Sequence, residues 1–405
     1  MNALLRPAFT LLALPLLVLG CGPSAARRQA AAARARADSI ARAAAESAAA
    51  PLPGMPPVDS SDVYAAAAAG MVDSVEAAGT PAVYVPLGGA GSVAVIAPRT
   101  YKVVRRFATG ILPQHVVPSY DQRHLWVAND RGNSLTPIDP RTARPGKNVT
   151  VADPYNLYFT PDGRYALVVA ERLQRLDFRD PQTLALHDTV HVDCPGVDHM
   201  EFTRDGRWAL ATCEFSGKLL KLDVVKHKVV GYLQLDPGGL GKKGAPQDVR
   251  SAPDGRLFYV ADMMANGVYV VDPVVFRRVA FIPTGKGTHG IYPSRDGSVL
   301  YVSNRGSNHT WGPPRGPGSV TVLDPRTWRI VATWAVPGGG SPDMGNVTAD
   351  GKELWLSGRY DGEVYVFDTA TGTLTHRIKV GRGPHGLTVW PQPGRFSLGH
   401  TGNMR

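Results

Sequence analysis

The sequence predicts an all-β fold, a seven-bladed β-propeller closed by pairing strands from its two ends. Three observations predict it. A tight turn built on an acidic residue recurs at Asp121, Asp162, Asp205, Asp254, Asp296 and Asp350, with Gln392 in a last partial copy, at spacings of 41, 43, 49, 42, 54 and 42 residues. A period near forty with room for four short strands is a propeller signature, because a small sheet buries both faces only when stacked around an axis. The last copy, Gly381 to Gly394, holds a first strand only. The missing strands stand at the other end, in Ala82–Val85, Ser92–Ile96 and Lys102–Phe107. Joining the two ends removes an open edge that would invite aggregation.

In chain order, Arg6 precedes an apolar run from Ala8 to Leu19 that ends in Val18-Leu-Gly-Cys21. The run is too short for a mature membrane span and has the layout of an export signal. Its end resembles a bacterial lipobox. The expectation is a lipoprotein signal over 1–21, a lipidated Cys21 and a membrane attached through that lipid. Gly22, where an aspartate would mark inner-membrane retention, favours the outer membrane, facing the periplasm. Residues 22–80 read as a spacer. The stretch 25–50 is mostly alanine, with Ile40 its one large apolar residue, so it has no stripe to bury. Pro51, Pro53, Pro56 and Pro57 then break any helix. The propeller is expected over 81–405, as a monomer. A hydrophobic share of 43% and a mean hydropathy of -0.12 suit a water-exposed globular domain and exclude a multi-span membrane protein.

Six blades are continuous, with innermost strands starting near His115, Asn156, His199, Asp248, Gly290 and Met344. The seventh joins the strand near Gly386 to the strands of 82–107. Two segments, Arg395–His400 and Ala82–Val85, compete for the second place in that blade. Asp-Gly pairs such as Asp162-Gly163 and Asp254-Gly255 read as hairpin turns, where glycine accepts a positive φ. As calcium ligands these acids lack the dense oxygen array that calcium needs. Cys194 and Cys213 flank one hairpin and can bridge, which would contribute about 3 kcal/mol; two buried thiols are the alternative. No Cys-x-x-Cys-His is present, so covalent c-type haem is not supported.

Leu300-Tyr-Val-Ser-Asn304, Trp126-Val-Ala-Asn129 and Tyr259-Val-Ala-Asp262, with Ser319–Pro325 and Glu363–Thr369 as following strands, resemble the tyrosine-valine-threonine-asparagine repeat of bacterial propellers. Across roughly residues 81–405 the chain is similar to exported YncE-like proteins. The resemblance implies the fold strongly and an activity weakly. Nucleic-acid binding is one role it suggests, and more distant relatives include the haem d1 propeller of cytochrome cd1 proteins.

In a propeller, the loops that enter each innermost strand share one face. Aligning the repeats puts His115, Asn156, His199, Asp248, Gly290, Met344 and Gly386 in one ring there. Gln114, Tyr155, Asp198, Gln247, His289, Asp343 and His385 form the ring before it. The candidate ligand-binding residues are His115, Asn156, Asp198, His199, Asp248, His289, Asp343 and His385, with Trp311 on the long connection 305–318, a candidate lid. His289, Asp343 and His385 share one position in three successive blades. Two imidazoles and a carboxylate are a usable donor set for Zn²⁺ or Fe²⁺. The plainer reading is that these groups hydrogen-bond between blades.

No nucleophile elbow, Walker loop or His-Glu-x-x-His occurs, and no catalytic residue is assigned. The formal net charge of +10 falls almost wholly on the propeller. Its basic pairs Arg105-Arg106, Lys242-Lys243 and Arg277-Arg278, with Lys226 and Lys228, scatter over outer strands and suit weak backbone electrostatics. The first reading is an exported, lipid-anchored binding or scaffold module that takes a protein or small-molecule ligand at the channel mouth, with no cofactor assigned. The second is a redox or enzymatic propeller using a transition metal or haem-like group. The third is a nucleic-acid binder.

Overall fold

Seven antiparallel sheets surround one axis in the computed structural model, which describes Met55, Asp59 and residues 61–236 and 244–400. The expected signal with Cys21, most of the spacer, and Lys242-Lys243 lie outside the described residues. The innermost strands of blades 1 to 6 are Pro113–Pro118, Asn156–Phe159, Val197–Phe202, Pro246–Ser251, Thr288–Pro293 and Pro342–Val347. Each is followed by its second, third and outer strands in chain order. Blade 7 pairs Thr388–Trp390 with Ala82–Leu87, in the register Ala82 with Trp390, Val83 with Val389 and Tyr84 with Thr388. Ala82–Leu87 therefore holds the contested place, and the two ends of the domain close the ring.

Burial explains the strand sequences. Inner and middle strands pack against the next blade on both faces and read as apolar runs, as in Ala166–Ala170, which is buried throughout. Outer strands alternate exposed and half-buried residues, as in Lys228–Gln234. Blade 1 departs from the pattern. Its outer edge is two short pieces, Arg144–Pro145 and Val149–Thr150, both on the third strand Ser134–Asp139. Pro145 has no amide to donate, and Gly146 follows it. At the turns the acids act as caps: Asp162 accepts from the Thr160 hydroxyl (2.6 Å) and the Arg164 amide (3.1 Å), and Asp350 binds Thr348 and Lys352 likewise. The Cys194–Cys213 disulfide is present, with Cα atoms 5.8 Å apart.

Two unrepeated segments cover the turn end of the channel. Packed structure begins before Pro81. The Val63 amide donates to Arg204 O (2.8 Å) in blade 3, and the Gly70 amide donates to Ala349 O (3.1 Å) in blade 6. A short helix, Ser74–Ala77, is capped by Asp73 and buries Glu76. Glu76 accepts from the Gln392 amide (2.5 Å). From there the C-terminal tail crosses under blade 1, where the Ser397 amide donates to Tyr120 O (3.0 Å) and Phe396 stacks on Tyr120 (5.3 Å). It then enters the channel antiparallel to the first strand of blade 2. The Phe159 amide donates to Leu398 O and the His400 amide donates to Leu157 O, both at 3.0 Å. Gly399 makes this approach possible: its φ is 85°, and a β-carbon there would lie 2.4 Å from Leu157 O.

Candidate functional site

The innermost strands do not pair evenly with their neighbours. Register skips between Val197 and Met200, Pro246 and Val249, Thr288 and Ile291, and Pro342 and Gly345. The skipped residues are Asp198-His199, Gln247-Asp248, His289-Gly290 and Asp343-Met344. A bulge re-aims side chains, and here it lets both aligned rings reach the axis. In three blades a hydroxyl residue stands opposite the bulge and satisfies it. Thr212 accepts from the His199 amide (3.2 Å), Ser303 accepts from the Gly290 amide (2.8 Å) and Ser357 donates to Met344 O (3.0 Å). Thr212 and Ser303 also donate to Gln247 O (2.6 Å) and Asp343 O (2.7 Å) in the next blade.

His115, Asn156, Asp198, His199, Asp248, His289, Asp343 and His385 are all buried at this hub. On one side, His289, Asp343 and His385, which share one aligned position in three successive blades, come together. Asp343 Oδ2 lies 2.7 Å from His385 Nδ1, which must be an N–H to donate to it, and Oδ1 lies 3.0 Å from His289 Nδ1. The sequence reading missed Arg305, whose Nε is 2.6 Å from the same Oδ1. Burial would raise the Asp343 carboxyl, but Arg305, His289 and Arg359 outweigh it and hold it below its ordinary value. Burial and the arginines push both imidazoles well down. The result is one ionised carboxylate answered by Arg305, flanked by neutral imidazoles.

On the other side His115 and His199 meet His400, which enters from the tail. The ring centroids are 5.3 Å apart for His115 and His199, 5.1 Å for His115 and His400, and 4.7 Å for His199 and His400. One nitrogen from each lies within 4.8 Å of the others. Asn156 Nδ2 contacts Nδ1 of His400 (2.8 Å) and of His199 (3.3 Å). Both nitrogens of His115, and Nε2 of His199 and His400, have no hydrogen-bond partner among the described residues. Burial pushes His115 down to about 3 and the other two well below their ordinary value, so all three are neutral. Gly386 leaves room for His115: a β-carbon there would lie 2.0 Å from its Nδ1. Neighbouring rings of this group of five stand with centroids 4.7–5.8 Å apart, which leaves no room for a macrocycle among them, so a haem-like group does not fit between these rings.

Around these groups, Asp248 bonds Arg250 (2.7 Å) and the Ile291 amide (2.9 Å), and burial lifts it to about 6. Asp198 accepts from the His199 amide (2.6 Å) and the Thr212 hydroxyl; burial and Glu214 raise it well above the carboxylate range.

Above the hub, the connection 305–318 forms one wall of a groove of about 870 Å³, lined by Trp311, Arg315, Arg359, Tyr360, Glu363 and Arg382 among others. Trp311 is 57% exposed. The Tyr360 hydroxyl donates to His309 O (2.7 Å), which ties the loop to blade 6. Arg359 is 6% exposed and lies 5.1 Å from the Trp311 ring. Arg250 and Arg305 each have a carboxylate within 3 Å. Arg359 has no ion pair among the described residues, and its Nε has no hydrogen-bond partner. Burial and Arg305 lower its pKa from the ordinary arginine value. The basic pairs, by contrast, lie on outer strands of separate blades, and Arg106 and Arg278 bind the carbonyls of Val380 and Asp236.

A family model for YncE-like β-propellers matches residues 42–181 and 240–393. The chain belongs to that family. No curated protein matches this YncE-like chain. Among solved structures it is similar to a protein of unknown function from Desulfotomaculum acetoxidans (15% identity, 77% of this chain and 99% of that one, TM-score 0.63). It is also similar to a periplasmic gluconolactonase of Pseudomonas aeruginosa (16%, 77% and 99%, 0.61) and to Kuenenia stuttgartiensis hydrazine synthase (19%, 68% and 88%, 0.57). At these identities the likeness carries the YncE-like fold and no activity.

Proposed function

We propose that this protein is an exported, lipid-anchored binding propeller that captures a small anionic molecule at its loop face. Arg359 carries the reading. A buried guanidinium without a carboxylate is costly, and this one lines a groove beside an exposed tryptophan. A carboxylate or phosphate entering there would meet two parallel donors of one guanidinium, with Trp311 covering its apolar part. The lipid-anchored, periplasm-facing address rests on the signal that ends in Cys21.

The test is calorimetric titration with phosphate, malonate and citrate, each against a neutral analogue. Binding should be selective for the anions, and Arg359→Met should weaken it about tenfold or more, as loss of a charge-assisted bond does. Equal binding of the neutral analogues, or an Arg359→Met variant that binds as wild type, would overturn the reading.

A further inference from the structure

We propose that His115, His199 and His400 form a transition-metal site at the hub, which ties the C-terminal tail to blades 1 and 3. The site is separate from the His289–Asp343–His385 group, whose carboxylate is already engaged by Arg305 at 2.6 Å. The argument rests on convergence together with missing partners. Three buried imidazoles bring one nitrogen each within 4.8 Å, and four of their six nitrogens have no hydrogen-bond partner among the described residues. Leaving buried polar atoms unmatched costs about 1–3 kcal/mol each, and an ion removes that cost at one stroke.

Asn156 supplies what a metal-bound histidine needs behind it. Ligating imidazoles hold their second nitrogen in a hydrogen bond that fixes ring and tautomer. Asn156 stands at Nδ1 of both His199 and His400. An amide's orientation is set by its network. In the metal-free hub Asn156 Oδ1 accepts from the Leu157 amide (2.9 Å) and Nδ2 faces the two ring nitrogens. Binding at the Nε2 atoms requires the amide to turn over, giving up the Leu157 bond so that Oδ1 accepts from both Nδ1–H groups. Imidazole nitrogens bind zinc at about 2.0–2.1 Å, so around one tetrahedral ion they stand about 3.4 Å apart, and the trio, now within 4.8 Å, closes by up to about 1.5 Å on binding. All-nitrogen donors select copper, zinc, iron or nickel over calcium or magnesium, and copper heads the affinity order. Three protein ligands leave a fourth position for water or another small group.

The experiment loads chelator-washed protein, containing residues through Arg405, with Zn²⁺ or Co²⁺, then measures bound metal, the visible absorption of Co²⁺, and the melting temperature. Wild type should take up one equivalent, show cobalt bands of imidazole coordination, and melt higher with metal. His115→Gln, His199→Gln and His400→Gln should each lower affinity about a hundredfold or more, and Asn156→Ala about 10–100-fold. His191→Gln, on the exposed outer strand of blade 2, should bind as wild type. A wild type with no stoichiometric uptake and no metal-dependent melting shift overturns the proposal without any variant. So does uptake that survives His400→Gln, or that is lost in His289→Gln while His400→Gln binds normally. Anion titrations of metal-free protein separate this result from the Arg359 reading.

Discussion

Two histidine groups share one hub, with His115 and His385 only 4.9 Å apart, yet their chemistry differs. His289 and His385 flank Asp343, whose charge Arg305 balances, so that side is an ion-paired network with its polar atoms mostly engaged. His115, His199 and His400 have one amide between them, nitrogens without a hydrogen bond among the described residues, and the nearest carboxylate, Asp248 Oδ1, at 3.8 Å from His400 Nε2. Residues of metal-binding type stand close together on both sides. Among the described residues the second side retains four ring nitrogens without a hydrogen bond, whereas the first retains one, His289 Nδ1, and that one lies 3.0 Å from the Asp343 carboxylate. Proximity of ligand types is therefore a weaker sign of a metal site than unsatisfied lone pairs at the same place.

The largest effect should come from removing the charge that organises the first side. Asp343→Ala leaves Arg305 buried without its partner and should cost about 3–5 kcal/mol in denaturant unfolding. A loss below about 1 kcal/mol would mean that the network is not what holds that side. Next, Cys194→Ala with Cys213→Ala should cost about 3 kcal/mol by loop-closure entropy. Cys213 follows Thr212, whose hydroxyl bonds the His199 amide (3.2 Å) and carbonyl (3.1 Å) in the Asp198-His199 bulge. The double variant should therefore also weaken Zn²⁺ binding, and unchanged affinity would separate the bulge from the disulfide.

A smaller effect tests the tail that delivers His400. Burial raises Glu76 from its ordinary 4.5 to about 9. Between those values the folded chain keeps a proton that the unfolded chain has shed. Its contribution is thus whole below pH 4.5 and fades as pH rises toward 9. Glu76→Gln keeps an oxygen for the Gln392 amide and removes the titration. Its melting temperature should match wild type near pH 5 and exceed it by a few degrees at pH 8, on the order of 1 kcal/mol. A difference that does not vary with pH would show Glu76 ionised in the fold.

What the sequence revealed divides along the same line. The blades, the closure and the two rings of mouth residues repeat, and alignment on Asp162, Asp205 or Asp254 carries each to its place. His289, Asp343 and His385 were legible as neighbours for that reason. Arg305 and Arg359 sit just past the second strands of blades 5 and 6, outside the aligned rings. His400 repeats nothing. Arg395–His400 reads as a blade strand, because Phe396 and Leu398 alternate as strand residues do, yet they pack under blades 1 and 2 and leave His400 in the channel. The capping role of 61–79 was hidden likewise: its short apolar residues, Val63 and Ala66, give no periodic signal.

The smallest stability change separates the two sides most sharply. His115 is fully buried with neither ring nitrogen bonded among the described residues, so it contributes packing and bears a desolvation cost. Leucine fills a similar volume without that cost. His115→Leu should leave metal-free stability unchanged or raise it by about 1 kcal/mol, where an equivalent change at Asp343 is severe. Residues kept at a stability cost are those that function retains. If His115→Leu unfolds the metal-free protein as Asp343→Ala does, the imidazole is a structural member of the hub, and the contrast between the two sides fails. If the variant is stable but binds no Zn²⁺, the unmatched nitrogens are there for the ion.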